Sequence, residues 1–125
     1  MTVNIFTDGS CVPNPGVMKI GMVVMQNNQP VHTVSKSMGS GTSNRAELLA
    51  VLEALNWAPK TAEVVLHVDS KYALGVVSKN WNATKNLELI STIRNLYRAF
   101  PKIKMVKVKG HSGVKGNELA DSLAA

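Results

Sequence analysis

Four carboxylates lie where a folded domain does not ordinarily place a negative charge. Asp8 follows the apolar opening of the chain, and Asp69 ends the apolar run 64–68. Glu47 has alanine, valine and alanine at i+3, i+4 and i+7, on the apolar side of a predicted helix. Asp121 lies among leucine and alanine near the end of the chain. Because burying unpaired carboxylates is costly, we expect these side chains to share a divalent cation, Mg²⁺ or Mn²⁺.

The charge balance favours a polyanionic partner. The chain has 125 residues and a formal net charge of +6. Several lysines of its last quarter precede or surround the region of Asp121: Lys102, Lys104, Lys107, Lys109 and Lys115. Cations that hold a phosphate backbone beside carboxylates that hold metal are what phosphodiester hydrolysis requires. We therefore expect a nucleic-acid partner, with this lysine group beside the carboxylates.

Composition indicates a single globular domain, residues 1–125, of cytoplasmic location. Apolar residues make up 45% of the chain, an ordinary globular value. There is one cysteine, no apolar run of about 18 residues and no long apolar stretch at the start, so neither a disulfide, a membrane span nor a signal peptide is predicted. We expect a monomer with no obligate protein partner and no membrane association.

The order of predicted elements is β-β-β-α-β-α-α-β-α. They are strands over 2–11, 19–26 and 31–38, a helix from Thr42 or Ser43 to Trp57, a strand over 63–69, helices over 70–78 and 87–100, a strand over 103–108 and a last helix capped by Asn117. This order predicts an α/β fold with a five-stranded mixed sheet flanked by helices. If the strands at 2–11 and 63–69 are parallel neighbours, about 4.8 Å apart, Asp8 and Asp69 meet at one end of the sheet.

Four short motifs occur in order along nearly the whole chain. They are TDGSC at 7–11 with NPG at 14–16, TSNRAEL at 42–48, VDSKY at 68–72, and KGHSG at 109–113 with GNELAD at 116–121. Together they resemble the four motifs of the type 1 ribonuclease H family. The resemblance implies the ribonuclease H-like fold and endonucleolytic hydrolysis of the RNA strand of RNA–DNA hybrids.

The resemblance also implies roles for the residues of the motifs. Asp8, Glu47, Asp69 and Asp121 match the catalytic acids that hold two Mg²⁺ ions, with Mn²⁺ as a substitute, and His111 matches a catalytic histidine. The histidine would accept or pass a proton, or assist product departure.

Further matched positions imply contacts with both strands of the hybrid. Those on the RNA strand and the minor groove are Gly9, Ser10, Cys11, Asn14, Asn44 and Lys71. Thr42 and Asn86 match a pocket for a DNA phosphate. Lys71 stands where the family often has glutamine. RNA is distinguished from DNA by its 2′-hydroxyls, which are accessible in the wide minor groove.

One departure from the family pattern concerns how the hybrid is held. Many bacterial members carry a lysine-rich protrusion where this chain has a short segment, 78–86, with only Lys79 and Lys85. The hybrid is then held less tightly, or by Trp81 and the late lysines. Two alternatives remain open: a catalytically weak nucleic-acid-binding module, and another nuclease of the same superfold, such as a transposase-like or junction-cutting enzyme.

Overall fold

A computed structural model describes residues 2–110 and 113–125, which form five strands and four helices. In chain order these are β1 (Thr2–Cys11), β2 (Gly16–Gln26), β3 (Gln29–Gly41), α1 (Ser43–Trp57), β4 (Glu63–Val68), α2 (Lys71–Ser78), α3 (Leu87–Arg98), β5 (Lys102–Lys107) and α4 (Lys115–Leu123). The predicted order of elements is confirmed.

The strands form one mixed sheet in the order β3-β2-β1-β4-β5. The hairpins make β1–β2 and β2–β3 antiparallel, whereas β1–β4 and β4–β5 are parallel and connected through helices. In the β1–β4 pair, Thr7 is opposite Val68. Asp8 and Asp69 are the next residues along these two parallel strands, so they lie side by side at the same end of the sheet. The parallel pairing expected from the sequence is confirmed.

Helices cover both faces of the sheet. Alternation along β1 directs Ile5 to the face covered by α1, α2 and α3, and Phe6 to the face crossed by α4. The first face carries the larger core, with Leu48 and Leu55 of α1 and Ile93 of α3 fully buried. The second core is smaller and joins Phe6 to α4.

Several predicted boundaries were wrong by a few residues. β2 begins at Gly16 and β3 continues to Gly41, because the two strands stay paired beyond the predicted limits. α3 ends at Arg98 instead of residue 100. Ser70 caps α2 and Thr42 caps α1, as expected, by accepting backbone N–H groups of Ala73 and Arg45.

The predicted start of the last helix was also wrong. α4 begins at Lys115, so Asn117 lies within its first turn and is 2% exposed. Its side-chain oxygen is buried and has no hydrogen-bond partner among the described residues, so Asn117 does not cap the helix. Instead, Glu118 accepts a hydrogen bond from the Gly113 N–H at 3.3 Å. Across 2–110 and 113–125, no helix has the length and apolarity needed to cross a membrane.

Candidate active site

Three of the four predicted acids converge at one end of the sheet. Asp8 projects from β1, Glu47 from the second turn of α1, and Asp69 follows the last residue of β4. Each contributes a carboxylate oxygen, and these oxygens lie within 4.8 Å of one another. Carboxylates at such distances form a donor set suited to a hard divalent cation.

Gly9 permits the close approach of β1 to α1 that creates this cluster. Its N–H donates to Asp8 Oδ1 at 2.9 Å and to Glu47 Oε1 at 3.1 Å. A Cβ at this position would lie 2.3 Å from the backbone carbon of Ala46, so a larger residue would force the helix away from the strand. The glycine therefore fixes the position of Glu47 relative to Asp8.

Burial and mutual repulsion favour protonation of two of these acids. Burial, reinforced by the neighbouring Asp8 carboxyl, raises the pKa of Glu47 to about 10. Burial also raises the pKa of Asp8 to about 7, although its hydrogen bond with Glu47 acts in the opposite direction. In the absence of a cation, the cluster is stabilised by retaining protons.

Asp121 lies beside Asp8 but outside the group of three. Hydrogen bonding and charge from Asp121 contribute to the raised pKa of Asp8. The C-terminal turn of α4, which carries Asp121, is held by two serines. The Ser10 hydroxyl donates to the Ala124 carbonyl, and the Ser35 hydroxyl donates to the Leu123 carbonyl at 2.7 Å. The fourth acid is therefore held against the first strand by contacts from β1 and β3.

The donor set fits a divalent cation. Glu47 Oε2 is buried and has no hydrogen-bond partner among the described residues. A buried carboxylate oxygen without a donor is costly, and a metal ion is a natural partner for it. Burial and repulsion between carboxylates also raise the pKa of Asp8 and that of Glu47. A bound cation would offset both effects.

A polar cavity of about 410 Å³ opens next to the N-terminus of α1. Four predicted substrate-contact residues line it: Asn14, Thr42, Asn44 and Asn86. The side chain of Asn14 is fixed to the start of α1. Its Nδ2 donates to Ser43 Oγ at 2.9 Å, and its Oδ1 accepts from the Ser43 N–H at 3.2 Å. Residues that are far apart in sequence thus meet at one surface.

Two residues that hold this cavity were missed by the sequence analysis. Arg45 donates to Asn86 Oδ1 at 3.1 Å, and the Asn86 amide is 3.3 Å from the Tyr72 hydroxyl. Asn86 has a left-handed backbone, with φ 59°, and directly precedes α3. A sequence signal existed for Arg45, which stands three residues after Thr42 and therefore on the same side of α1.

The remaining predicted contact residues have different surroundings. Cys11 is buried, and its thiol lies 3.3 Å from the Gly41 carbonyl, so only its backbone is available to a ligand. The Ser10 hydroxyl is engaged with α4. Lys71, at the start of α2, is exposed. The predicted catalytic His111 lies outside the described residues.

The predicted lysine group is divided between the two ends of the sheet. Lys107 is paired in register with Val68, at the acid end. Lys109 directly precedes Gly110, where a Cβ would lie 3.5 Å from Asp69 Oδ2. These two lysines therefore lie on the same side of the molecule as the carboxylates.

The other three lysines lie towards the opposite end, which corrects the sequence-based grouping. Lys102 is paired with Glu63, five residues before Lys107 and so roughly 17 Å from it along the strand. The Thr2 hydroxyl, with the charges of Lys102 and Lys104, lowers the pKa of Glu63. Lys115 donates to the carbonyl of Asn28, in the turn after β2.

Comparison with known proteins identifies the family. Residues 1–125 match the family model described as RNase H. The chain belongs to the ribonuclease H family. Ribonuclease H of Mannheimia succiniciproducens is 42% identical to it, over 98% of this chain and 84% of that protein. The predicted family membership is confirmed.

Solved structures of ribonuclease H proteins share the fold. The N-terminal RNase H domain of a Mycobacterium tuberculosis protein superposes with a TM-score of 0.86, at 27% identity over 99% of this chain and 96% of that one. LC11-RNase H1, solved in complex with an RNA/DNA hybrid, gives a TM-score of 0.81 at 23% identity over 98% and 96% of the two chains. The latter likeness concerns the fold alone.

Proposed function

We propose that this chain is an endoribonuclease that hydrolyses the RNA strand of RNA–DNA hybrids at the carboxylate cluster. The observation that supports this most directly is the approach of the Asp8, Glu47 and Asp69 oxygens to within 4.8 Å of one another. Family membership supplies the reaction class. A module that only bound nucleic acid would gain nothing from holding three carboxylates at such a cost in burial and repulsion.

The proposed metal ligands are Asp8, Glu47, Asp69 and Asp121, with two Mg²⁺ ions as cofactors and Mn²⁺ as a substitute. When bound, the metal would supply positive charge that activates a water for attack on phosphorus and stabilises the leaving oxygen. The chain's own part is to hold the carboxylates in place. The Gly9 N–H orients Asp8 and Glu47, and the end of α4 keeps Asp121 beside Asp8.

The cavity beside α1 is the proposed site for a phosphate of the DNA strand, with Thr42 and Asn86 in its wall. Thr42 caps α1 and Glu47 lies in its second turn, about 7.5 Å further along the helix axis. A hybrid whose DNA strand occupies the cavity would then present its other strand to the carboxylates. This arrangement explains why a single helix carries both a catalytic acid and a binding residue.

Discrimination of RNA is assigned to residues near the cluster. We propose that the backbone around Gly9, Ser10 and Cys11 contacts the RNA strand, and that Asn14, Asn44 and Lys71 face the minor groove. For Cys11 only the backbone can act, because its thiol is buried. His111 is proposed to transfer a proton or assist product departure. We further propose that the protein acts as a cytoplasmic monomer.

The proposal is tested by cleavage of matched RNA–DNA, RNA–RNA and DNA–DNA duplexes, each labelled on one strand, with Mg²⁺. We expect cleavage of the RNA strand of the hybrid alone. Asp69→Asn protein, purified in the same way, controls for contaminating nucleases and should be inactive. Equal cleavage of several duplexes would contradict the specificity, and hybrid binding without cleavage would favour the binding module.

A further inference from the structure

The segment between α2 and α3 forms a thin wall of the phosphate cavity. Residues 82–86 line that cavity, and Asn82 and Ala83 also line a second cavity of about 310 Å³ on the α3 side. The wall therefore has space on both sides. Ala83 packs against the larger core, whereas the polar residues on either side of it need other contacts to keep the wall in position.

The wall begins after the C-terminus of α2, where the chain turns back on the last turn of that helix. Asn80 adopts a left-handed backbone with φ 52°, and the Trp81 N–H donates to the Gly75 carbonyl at 3.1 Å. The Trp81 ring rests on Gly75, where a Cβ would lie 2.1 Å from the ring. Trp81 is nevertheless 40% exposed, so packing covers one side of it only.

Arg94 of α3 connects both parts of this region. Its Nε donates to the Val76 carbonyl at 2.7 Å, and its Nη2 donates to the Trp81 carbonyl at 2.8 Å. Val76 belongs to the last turn of α2, where helix carbonyls have no partner within the helix and a cation is favourable. The planar guanidinium can bond both carbonyls at fixed relative positions, which the single ammonium of lysine cannot reproduce.

The far end of the wall is fixed separately. Asn86 is held by Arg45 and Tyr72, as described above. The wall is therefore held at two ends, by Arg94 near Trp81 and by Arg45 at Asn86. Between these points, Asn82, Thr84 and Lys85 face the cavity that is proposed to take the DNA phosphate.

We propose that Arg94 is a positioning residue for hybrid binding: by donating hydrogen bonds to the Val76 and Trp81 carbonyls, it fixes the position of the wall of the phosphate cavity. This inference rests on the proposed function of that cavity. Arg94 acts by fixing the position of the wall's backbone and not by attracting the hybrid electrostatically. Its loss therefore weakens binding of the DNA strand while the carboxylate cluster remains intact.

The first measurement is steady-state cleavage by Arg94→Lys and Arg94→Met proteins. We expect KM to rise about tenfold in both, the scale of one or two lost hydrogen bonds, with kcat within about twofold of the unmodified protein. The lysine variant keeps the charge, so a similar effect in both variants separates positioning from electrostatic attraction. Thermal melting establishes that each variant is folded.

Arg98 provides the matched control. It lies one turn later on the same helix and is exposed, and within the described part of the chain its Nη2 donates one long hydrogen bond, of 3.4 Å, to Asn80 Oδ1. Arg98→Met removes the same charge as Arg94→Met but leaves both carbonyl contacts in place. We expect its KM to change by less than about twofold, in keeping with an exposed, weak contact.

The deciding measurement uses hybrids in which one DNA phosphate at a time is a neutral methylphosphonate. Binding is measured in an Asp69→Asn background, so that the hybrid is not cleaved. For the otherwise unmodified protein, neutralising the phosphate seated in the cavity should weaken binding most, by about tenfold. In the Arg94→Met and Arg94→Lys proteins, neutralising that phosphate should weaken binding little more than neutralising any other DNA phosphate. In the Arg98→Met protein it should still weaken binding most.

The outcomes separate this inference from the proposed function. If no DNA position is special in the protein with Arg94 intact, the cavity does not take a phosphate and both proposals are wrong. If one position is special and its effect is unchanged in the Arg94 variants, the positioning role alone is overturned. Should the Arg94 variants fail to fold, Gly75→Ala perturbs the same wall through the Trp81 ring and must reproduce the loss.

Discussion

The carboxylate cluster and the cavity beside α1, the proposed phosphate site, are neighbouring regions with different electrostatic character. In the cluster, burial and repulsion raise the pKa of Asp8 and Glu47, and Glu47 Oε2 has no partner among the described residues. In the cavity, the side chains of Asn14 and Asn86 are hydrogen-bonded to Ser43, Arg45 and Tyr72. The cluster is unsatisfied, whereas the cavity is already organised.

This difference indicates what each region contributes. The fold holds these carboxylates close together although they repel one another, so binding a cation between them is favourable. A wall whose side chains are already hydrogen-bonded within the protein offers a preformed surface and costs little to order on binding. Changes in the cluster should therefore abolish chemistry and leave the fold stable, and changes in the cavity should weaken binding and leave chemistry largely intact.

The largest effect is expected from Asp8→Asn or Asp69→Asn. Each removes a carboxylate from the donor set, so we expect hybrid cleavage with Mg²⁺ to fall by several orders of magnitude. The metal-free protein should remain folded, because repulsion within the cluster decreases. Turnover numbers and thermal melting measure the two effects.

Glu88→Gln is the control for the acid variants. Glu88 is exposed in the first turn of α3 and is not one of the grouped carboxylates, so its neutralisation should leave turnover unchanged. Near-normal turnover in either aspartate variant would show that the cluster is not the catalytic centre.

A smaller effect is expected from Asn86→Gly and Asn86→Ala. Both remove the side chain that connects Arg45 and Tyr72, so we expect KM to rise about tenfold with kcat little changed. Because Asn86 has φ 59°, alanine adds backbone strain and glycine does not. Comparing the two variants separates the lost contacts from the strain.

A fall in kcat as large as that of the aspartate variants would remove the distinction between the two regions. Tyr72→Phe is the milder companion, since it removes only the hydroxyl that contacts Asn86. It should raise KM less than Asn86→Gly does.

Much of the fold and the acid cluster could be predicted because local signals were strong. The carboxylates interrupt apolar runs, and parallel pairing of two such strands leaves few alternatives for where Asp8 and Asp69 meet. Residues predicted from isolated context fared worse. The position of Trp57 at the end of an apolar helix suggests burial in the core, but the side chain is 40% exposed and stacks on His32 of β3. Such pairings depend on strand register, which local sequence does not determine.

The lysine grouping failed for a related reason. Proximity in sequence suggested one cationic surface, yet a strand of six residues separates Lys102 from Lys107 by most of the height of the sheet. The Arg94 contacts were equally invisible, because both acceptors are backbone carbonyls, whose positions depend on how α2 ends. The sequence shows which side chains can donate or accept hydrogen bonds, but it does not show which backbone groups the fold brings within their reach.

A further test concerns the two ends of β5. Neutralising Lys107 and Lys109 together should weaken hybrid binding several-fold and reduce the slope of log K against log salt, because counterion release at the acid end is lost. Neutralising Lys102 and Lys104 removes the same formal charge at the other end and should change both quantities less. Equal effects from the two pairs would mean that the hybrid extends along the whole sheet.

The smallest expected effect is a pH dependence of stability that distinguishes the cluster from the cavity. The folded protein raises the pKa of Asp8 to about 7 and that of Glu47 to about 10, so it keeps protons that the unfolded chain releases from about pH 4 upward. Without metal, stability should therefore fall as the pH rises from 5 to 9. Melting temperatures measured in EDTA should decrease across this range, and Glu47→Gln should reduce the decrease.

Adding Mg²⁺ at pH 8 should restore stability in the unmodified protein, because the cation replaces the lost protons. Asn86→Gly, which alters the cavity and leaves the carboxylates in place, should show the same slope as the unmodified protein. If Glu47→Gln leaves the slope unchanged, the cluster does not carry the electrostatic strain that sets it apart from the cavity.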